Sequence, residues 1–280
     1  MQYETPEDAE RRALMRQAAC VAGAWAASGV LPAVAGQAQQ HARSLLVNHL
    51  GDPFLARQLK PGEPHLFNYP FVASPVFLLA IDHAVAGAAL TTEARQSYDA
   101  PAGVGPNQSI VAFSAICAHK LMYPTPQLSF IGVRKGFDGE PSQVIHCCGD
   151  NSRYDPAQGA RVMAGPAPQP LAAVLLAWDA KTDQLHAVGT QGGEMFKAFF
   201  DKYAFKLDTE YGSRARSASG ATSVVQPAAT SANSGRAAKF ERGVNLPHAD
   251  GSKRVGAGST GWHGDSGASI ICACLRHCRR

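Results

Sequence analysis

A chain of 280 residues has room for one large domain or two small ones, and 45% hydrophobic with 17% charged residues is a globular composition. The net charge of +4 is unevenly spread: residues 213–280 hold ten Lys or Arg against three Asp or Glu, whereas residues 36–212 hold thirteen against fifteen. The central part therefore lacks the basic face that phosphates require, which argues against nucleic acid as a partner.

In chain order, the first feature is an export-like leader. Arg11-Arg12-Ala13-Leu14-Met15 precedes an uncharged apolar run over 18–35 that ends in "AVA". Charged start, weakly hydrophobic middle and small-residue exit are the order of a signal peptide, and the arginine pair is similar to a twin-arginine signal. Such signals carry folded proteins, usually with a cofactor already inserted. The expected location is the periplasm, either free or tethered to the inner membrane through residues 18–35, a run near the lower length limit for spanning a bilayer.

From about residue 44 to residue 207 the pattern is short apolar runs broken by Gly and Pro. Residues 64–81, 109–117, 128–133, 143–148, 171–178 and 185–190 read as strands. Turn signals such as "DAPAGVGPNQ", "RKGFDGEP" and "YDPAQGAR" separate them. Many short strands punctuated in this way predict an all-β fold, an antiparallel sandwich or partly open barrel. "TTEARQSY", residues 91–98, predicts one or two helical turns, and residues 192–205 predict a short amphipathic helix. Beyond residue 212 the chain turns small, polar and basic, which predicts a disordered tail over 213–280. The domain is thus expected over 36–212.

Candidate chemistry concentrates in two loops. Cys117-x-His119 follows a strand. "VIHCCGDNSRYD" brings Cys147 and Cys148 together, then Asp150, Ser152, Tyr154 and Asp155; Gly165-Pro166-Ala167-Pro168 comes later. No nucleophile-elbow context surrounds Ser114, and "GTQGGEMF" lacks the lysine of a phosphate loop.

The order of these motifs resembles a Rieske iron–sulfur domain over roughly residues 110–176. There, one loop supplies Cys-x-His and a second supplies Cys-x-x-His, followed by Gly-Ser-x-Tyr-Asp and a Gly-Pro-x-Pro segment. The resemblance implies a small cluster-binding subdomain on the β fold, a [2Fe-2S] cofactor, and Cys117, His119 and Cys147 as ligands. Thiolates would hold one iron and imidazole the other. Ser152 and Tyr154 would donate hydrogen bonds to the sulfurs and raise the reduction potential.

Two departures stand out. Asp150 occupies the place of the second histidine, so a carboxylate, Cys148 or His146 would have to complete the second iron. The positions of the inter-loop disulfide found in many quinol-oxidising members fall on Met122 and Gly149. The resemblance implies an electron-transfer protein, or the small subunit of a periplasmic oxidoreductase, acting with a redox partner protein such as a larger oxidoreductase subunit, a cytochrome or a quinol complex. A cluster-free binding or assembly module, and a thiol-redox protein using Cys147-Cys148, are the alternatives.

Overall fold

The computed structural model describes residues 37–125 and 129–228. The expected leader over 1–35 lies outside the described residues, as does the tail beyond 228. The strands are β1 (Gln39–Val47), β2 (His65–Asn68), β3 (Pro75–Ala80), β4 (Ala88–Thr91), β5 (Ser97–Ala100), β6 (Ile110–Ser114) and β7 (Ile131–Lys135). They continue with β8 (Gln143–Cys147), β9 (Ser152–Asp155), β10 (Arg161–Ala164), β11 (Ala173–Asp179), β12 (Gln184–Gln191), β13 (Thr222–Val224) and β14 (Gln226–Pro227). Two short helices, α1 (Phe196–Lys202) and α2 (Ala204–Tyr211), precede the last two strands.

The fold is all-β, with a large sheet ordered β13-β1-β12-β11-β6-β3-β2-β14, a small sheet ordered β10-β9-β8-β7, and the hairpin β4-β5. The pairings are antiparallel except β1 with β13. The large sheet is nearly closed. Segment 222–227 pairs β13 with β1 at one edge and β14 with β2 at the other. Ser223 Oγ fastens that crossing, 2.8 Å from Ser44 Oγ on β1 and 3.0 Å from the Asn68 carbonyl on β2. The domain therefore runs past residue 212, through residues that composition alone reads as tail.

Alternation explains why the central strands are continuously apolar. On β3, Val76, Leu78 and Ala80 face one cluster inside the large sheet, while Phe77 and Leu79 face another between the large and small sheets. β6 divides in the same way, Ile110 and Ala112 against Val111 and Phe113. Successive side chains of a strand point to opposite faces, so a strand covered on both sides has no polar position to spare. The second cluster includes Ile131, Val133, Ile145, Cys147, Tyr154 and Cys117, and so runs directly under the two loops.

Residues 91–98 differ from expectation. They form the turn and facing ends of the β4–β5 hairpin, not a helix. Arg95, at φ 59°, makes the turn, and Leu90, Tyr98 and Ala100 bury themselves as a small satellite cluster. Tertiary burial overrides the helical propensity of "EARQ". Among the described residues, no helix is long and apolar enough to cross a membrane.

Candidate metal centre

Loop one leaves β6 at Ala115 and carries Cys117 and His119. It closes on itself: Cys117 N–H donates to the Met122 carbonyl at 2.8 Å, and Leu121 N–H donates back to the Cys117 carbonyl at 2.9 Å. Leu121 takes φ 58° to make the reversal. Loop two joins β8 to β9. Cys148 N–H donates to the Phe130 carbonyl at 2.7 Å, and Asn151, at φ 62°, turns the chain into β9. Asn tolerates this left-handed conformation better than most residues.

The doubled cysteine separates across the strand end. Cys147 points inward and is fully buried. Cys148 aims its thiol at the Phe130 carbonyl, 3.3 Å away. His146 lies on the outer face, with Nε2 3.0 Å from Asn151 Oδ1. The thiol that faces Cys147 belongs to Cys117, and Cys117 Sγ, Cys147 Sγ and an Asp150 carboxylate oxygen all lie within 4.8 Å of one another.

Asp150 is held at both oxygens. Oδ1 accepts from Ser152 N–H at 2.9 Å. Oδ2 lies 3.3 Å from Cys117 Sγ and 3.0 Å from His119 Nδ1. The Asp150 side chain is 1% exposed and that of His119 35% exposed, so the imidazole forms the open edge of the site. Of the sequence candidates for the missing ligand, Asp150 is the one whose atoms stand among the thiols.

Tyr154, also fully buried, brings its hydroxyl 3.4 Å from Cys117 Sγ and accepts from Ala118 N–H at 3.3 Å. Ser152 is fully buried, and its hydroxyl makes no close hydrogen bond, though it acts on the Asp150 carboxylate at longer range. A buried orphan hydroxyl is uncommon, because an unsatisfied polar group costs about 1–3 kcal/mol. The Gly-Pro-Ala-Pro segment packs against loop two. Gly165 has φ +92°, and a Cβ there would come within 2.5 Å of Ser152 Cα, so only glycine fits.

The electrostatics separate the two thiols. A hydrogen bond from the Cys147 thiol is the main cause lowering Cys117, against the opposing effect of burial; the Tyr154 hydroxyl and the His119 and Lys120 amides add to the lowering. Cys147 is pushed up, by its hydrogen bond to Cys117 and by burial. Burial pushes Asp150 upward, but hydrogen bonds from Ser152 N–H and the Cys117 thiol outweigh it and leave the carboxyl below its ordinary value. Burial raises Tyr154, which stays a proton donor.

Two further features support the loops. Met122 backs onto loop two, its Cε 3.1 Å from where a Cβ on Gly149 would stand, so these two positions singled out in the sequence face each other. Tyr123 of loop one packs edge-on against Phe199 and Tyr203, with centroids 5.0 and 4.9 Å away, which ties that loop to α1 and its end. The amphipathic pattern of residues 192–205 signals the helix but not what it packs against.

The fold and this arrangement define an all-β protein with a two-loop, thiolate-containing candidate metal centre. No protein-family model matches the chain. Among solved structures it is similar to the soluble domain of the Rieske protein II from Sulfolobus acidocaldarius, at 26% identity over 55% of this chain and 82% of that one, with a TM-score of 0.41.

Proposed function

We propose that the protein is an electron-transfer iron–sulfur protein of Rieske type with a mixed ligand set. The observation that carries this reading is the convergence of Cys117, Cys147, Asp150 and His119 from two loops, with Tyr154 hydrogen-bonded to a ligand sulfur and Ser152 buried without a close hydrogen bond. The orphan hydroxyl fits a [2Fe-2S] cluster, whose sulfide would give it an acceptor. Cys117 and Cys147 would hold one iron, and His119 with Asp150 the other. Bound there, the cluster supplies one-electron chemistry.

The protein's own contribution is to bury the thiols, orient the carboxylate through Ser152 N–H, and leave the His119 edge open to a redox partner protein. A carboxylate is harder and more negative than imidazole, so Asp150 would set the potential below that of a two-histidine site. Action in the periplasm rests on the arginine pair and apolar run of residues 11–35.

Isolation from the periplasmic fraction of cells that assemble iron–sulfur clusters tests both parts. The expected yield is about two iron atoms and two acid-labile sulfides per chain. Electron paramagnetic resonance of the reduced form should differ from that of an all-thiolate cluster. A colourless protein without sulfide ends the cluster assignment, and a protein confined to the cytosol ends the export assignment.

A further inference from the structure

We propose that the same four side chains also form a closed site for a single divalent ion of the zinc class, which would staple loop one to loop two. This goes beyond the electron-transfer reading, although it uses the same donors. Tetrahedral zinc, with bonds of about 2.3 Å to sulfur and 2.0–2.1 Å to nitrogen or oxygen, places its donors roughly 3.3–3.8 Å apart. Here Asp150 Oδ2 is 3.0 Å from His119 Nδ1 and 3.3 Å from Cys117 Sγ, and Cys147 Sγ lies within 4.8 Å of both other donors in its group. Cys117 Sγ, Cys147 Sγ and an Asp150 oxygen already stand around one point, and His119, bonded to the same carboxylate, would complete the set by turning toward it.

The chemistry of the set agrees. Two thiolates, one imidazole and one carboxylate are ordinary zinc ligands, and four protein donors leave no open position, which is the mark of a structural site. Carboxylate Oδ1 is fixed by Ser152 N–H, so Oδ2 is already aimed. The site also joins the loops beside Met122 and Gly149, where no covalent link exists. A filled site would hold loop one to loop two and would be redox-silent.

The test is titration of the full chain, freed of metal by chelation and kept reduced and anaerobic, with Co²⁺ and then with competing Zn²⁺. The expected result is about one Co²⁺ per chain, with the intense visible bands of tetrahedral cobalt and sulfur-to-metal charge transfer in the near ultraviolet. Zn²⁺ should displace it and raise the unfolding temperature, since binding to the native state alone stabilises it. Cys148→Ala should behave as the native chain. Asp150→Ala and His119→Ala should each lose at least about tenfold in affinity, with native circular dichroism showing that they fold.

Six-coordinate cobalt without charge transfer, or full affinity in Asp150→Ala, overturns the inference. Sulfide content is read on a separately reconstituted sample. A chain that takes tetrahedral cobalt but no sulfide supports the single-ion site and ends the electron-transfer reading. A chain that takes the cluster but not tetrahedral cobalt ends this inference alone.

Discussion

Tyr154 and Ser152 show how single hydroxyls would tune the centre. Tyr154 O–H is directed at Cys117 Sγ and is itself held by Ala118 N–H. A donor to a ligand sulfur stabilises the more negative, reduced state. Tyr154→Phe keeps the ring in its pocket and deletes the donor, so the reduction midpoint should move negative by about 60 mV for each 1.4 kcal/mol of hydrogen bonding lost. Ser152→Ala should move it the same way and, because the hydroxyl makes no close protein hydrogen bond, should leave stability nearly unchanged. Protein-film voltammetry reads both variants; an unchanged or positive midpoint would refute the tuning role. Cys117, His119 and Cys147 were legible as candidate ligands only through the order of several motifs taken together, since no single spacing among them is specific. Asp150 was legible only as a substitution in a pattern, because its place beside the thiols depends on the turn through Gly149 and Asn151 and on Ser152 N–H, which no spacing rule encodes.

Among the elements, the small sheet holds loop two through one carboxylate. Glu140, at the end of the β7–β8 connection, makes a two-pronged pair with Arg134 on β7 at 2.7 and 3.0 Å and a further contact with Arg153 on β9 at 2.7 Å. It also accepts from Phe137 N–H, and the Arg134 guanidinium lies 4.6 Å from the centroid of the Phe137 ring. The Arg134 hydrogen bond, with help from Phe137 N–H and Arg153, lowers the Glu140 carboxyl from its ordinary 4.5 to about 2. A depressed carboxyl stabilises the fold above its unfolded value, and that contribution disappears as pH falls through the folded value. The native protein should therefore lose about 1–3 kcal/mol between about pH 4.5 and pH 2 through this group. Glu140→Gln should be less stable at neutral pH and should lack that acid limb. Urea unfolding over the range measures the difference; parallel pH curves for the two proteins would rule out the clamp. None of this network is visible in the sequence, where Arg134, Glu140 and Arg153 are merely scattered charges. The strands it ties together were visible, as β7 and β8 carry apolar residues inward.

Across the whole molecule, the elements that sequence pattern missed are those that earn burial only in context. β3 and β6 announced themselves because both faces are covered. β13 and β14, three and two residues long, bury little beyond Ser223 and, between the two strands, Val225, yet they close the large sheet at both edges. The helices are a similar case. Residues 192–205 show an amphipathic pattern, but only the fold puts α1 and α2 beside the open edge of the metal centre.

That placement gives the edge a charge. Lys202 Nζ sits 2.6 Å from the Lys120 carbonyl, one residue from His119, and Lys206 Nζ lies 5.1 Å from the centroid of Tyr123 in the same loop. Lys206 is paired only loosely, 3.9 Å from Glu210. Among the described residues, neither Lys120 nor Lys202 forms an ion pair with a carboxylate. A rim of this sign would attract anions and repel cations. Small redox ions read the local field directly. The dithionite-reduced protein should be oxidised by anionic hexacyanoferrate(III) at a rate that falls as salt is added, because screening weakens the attraction. With cationic hexaammineruthenium(III) the rate should rise with salt. Lys120→Glu with Lys202→Glu should slow the anionic oxidant by about tenfold at low ionic strength and flatten its salt dependence. A rate for hexacyanoferrate(III) that is indifferent to salt in the native protein would show that electrons leave elsewhere or that the rim carries no effective charge.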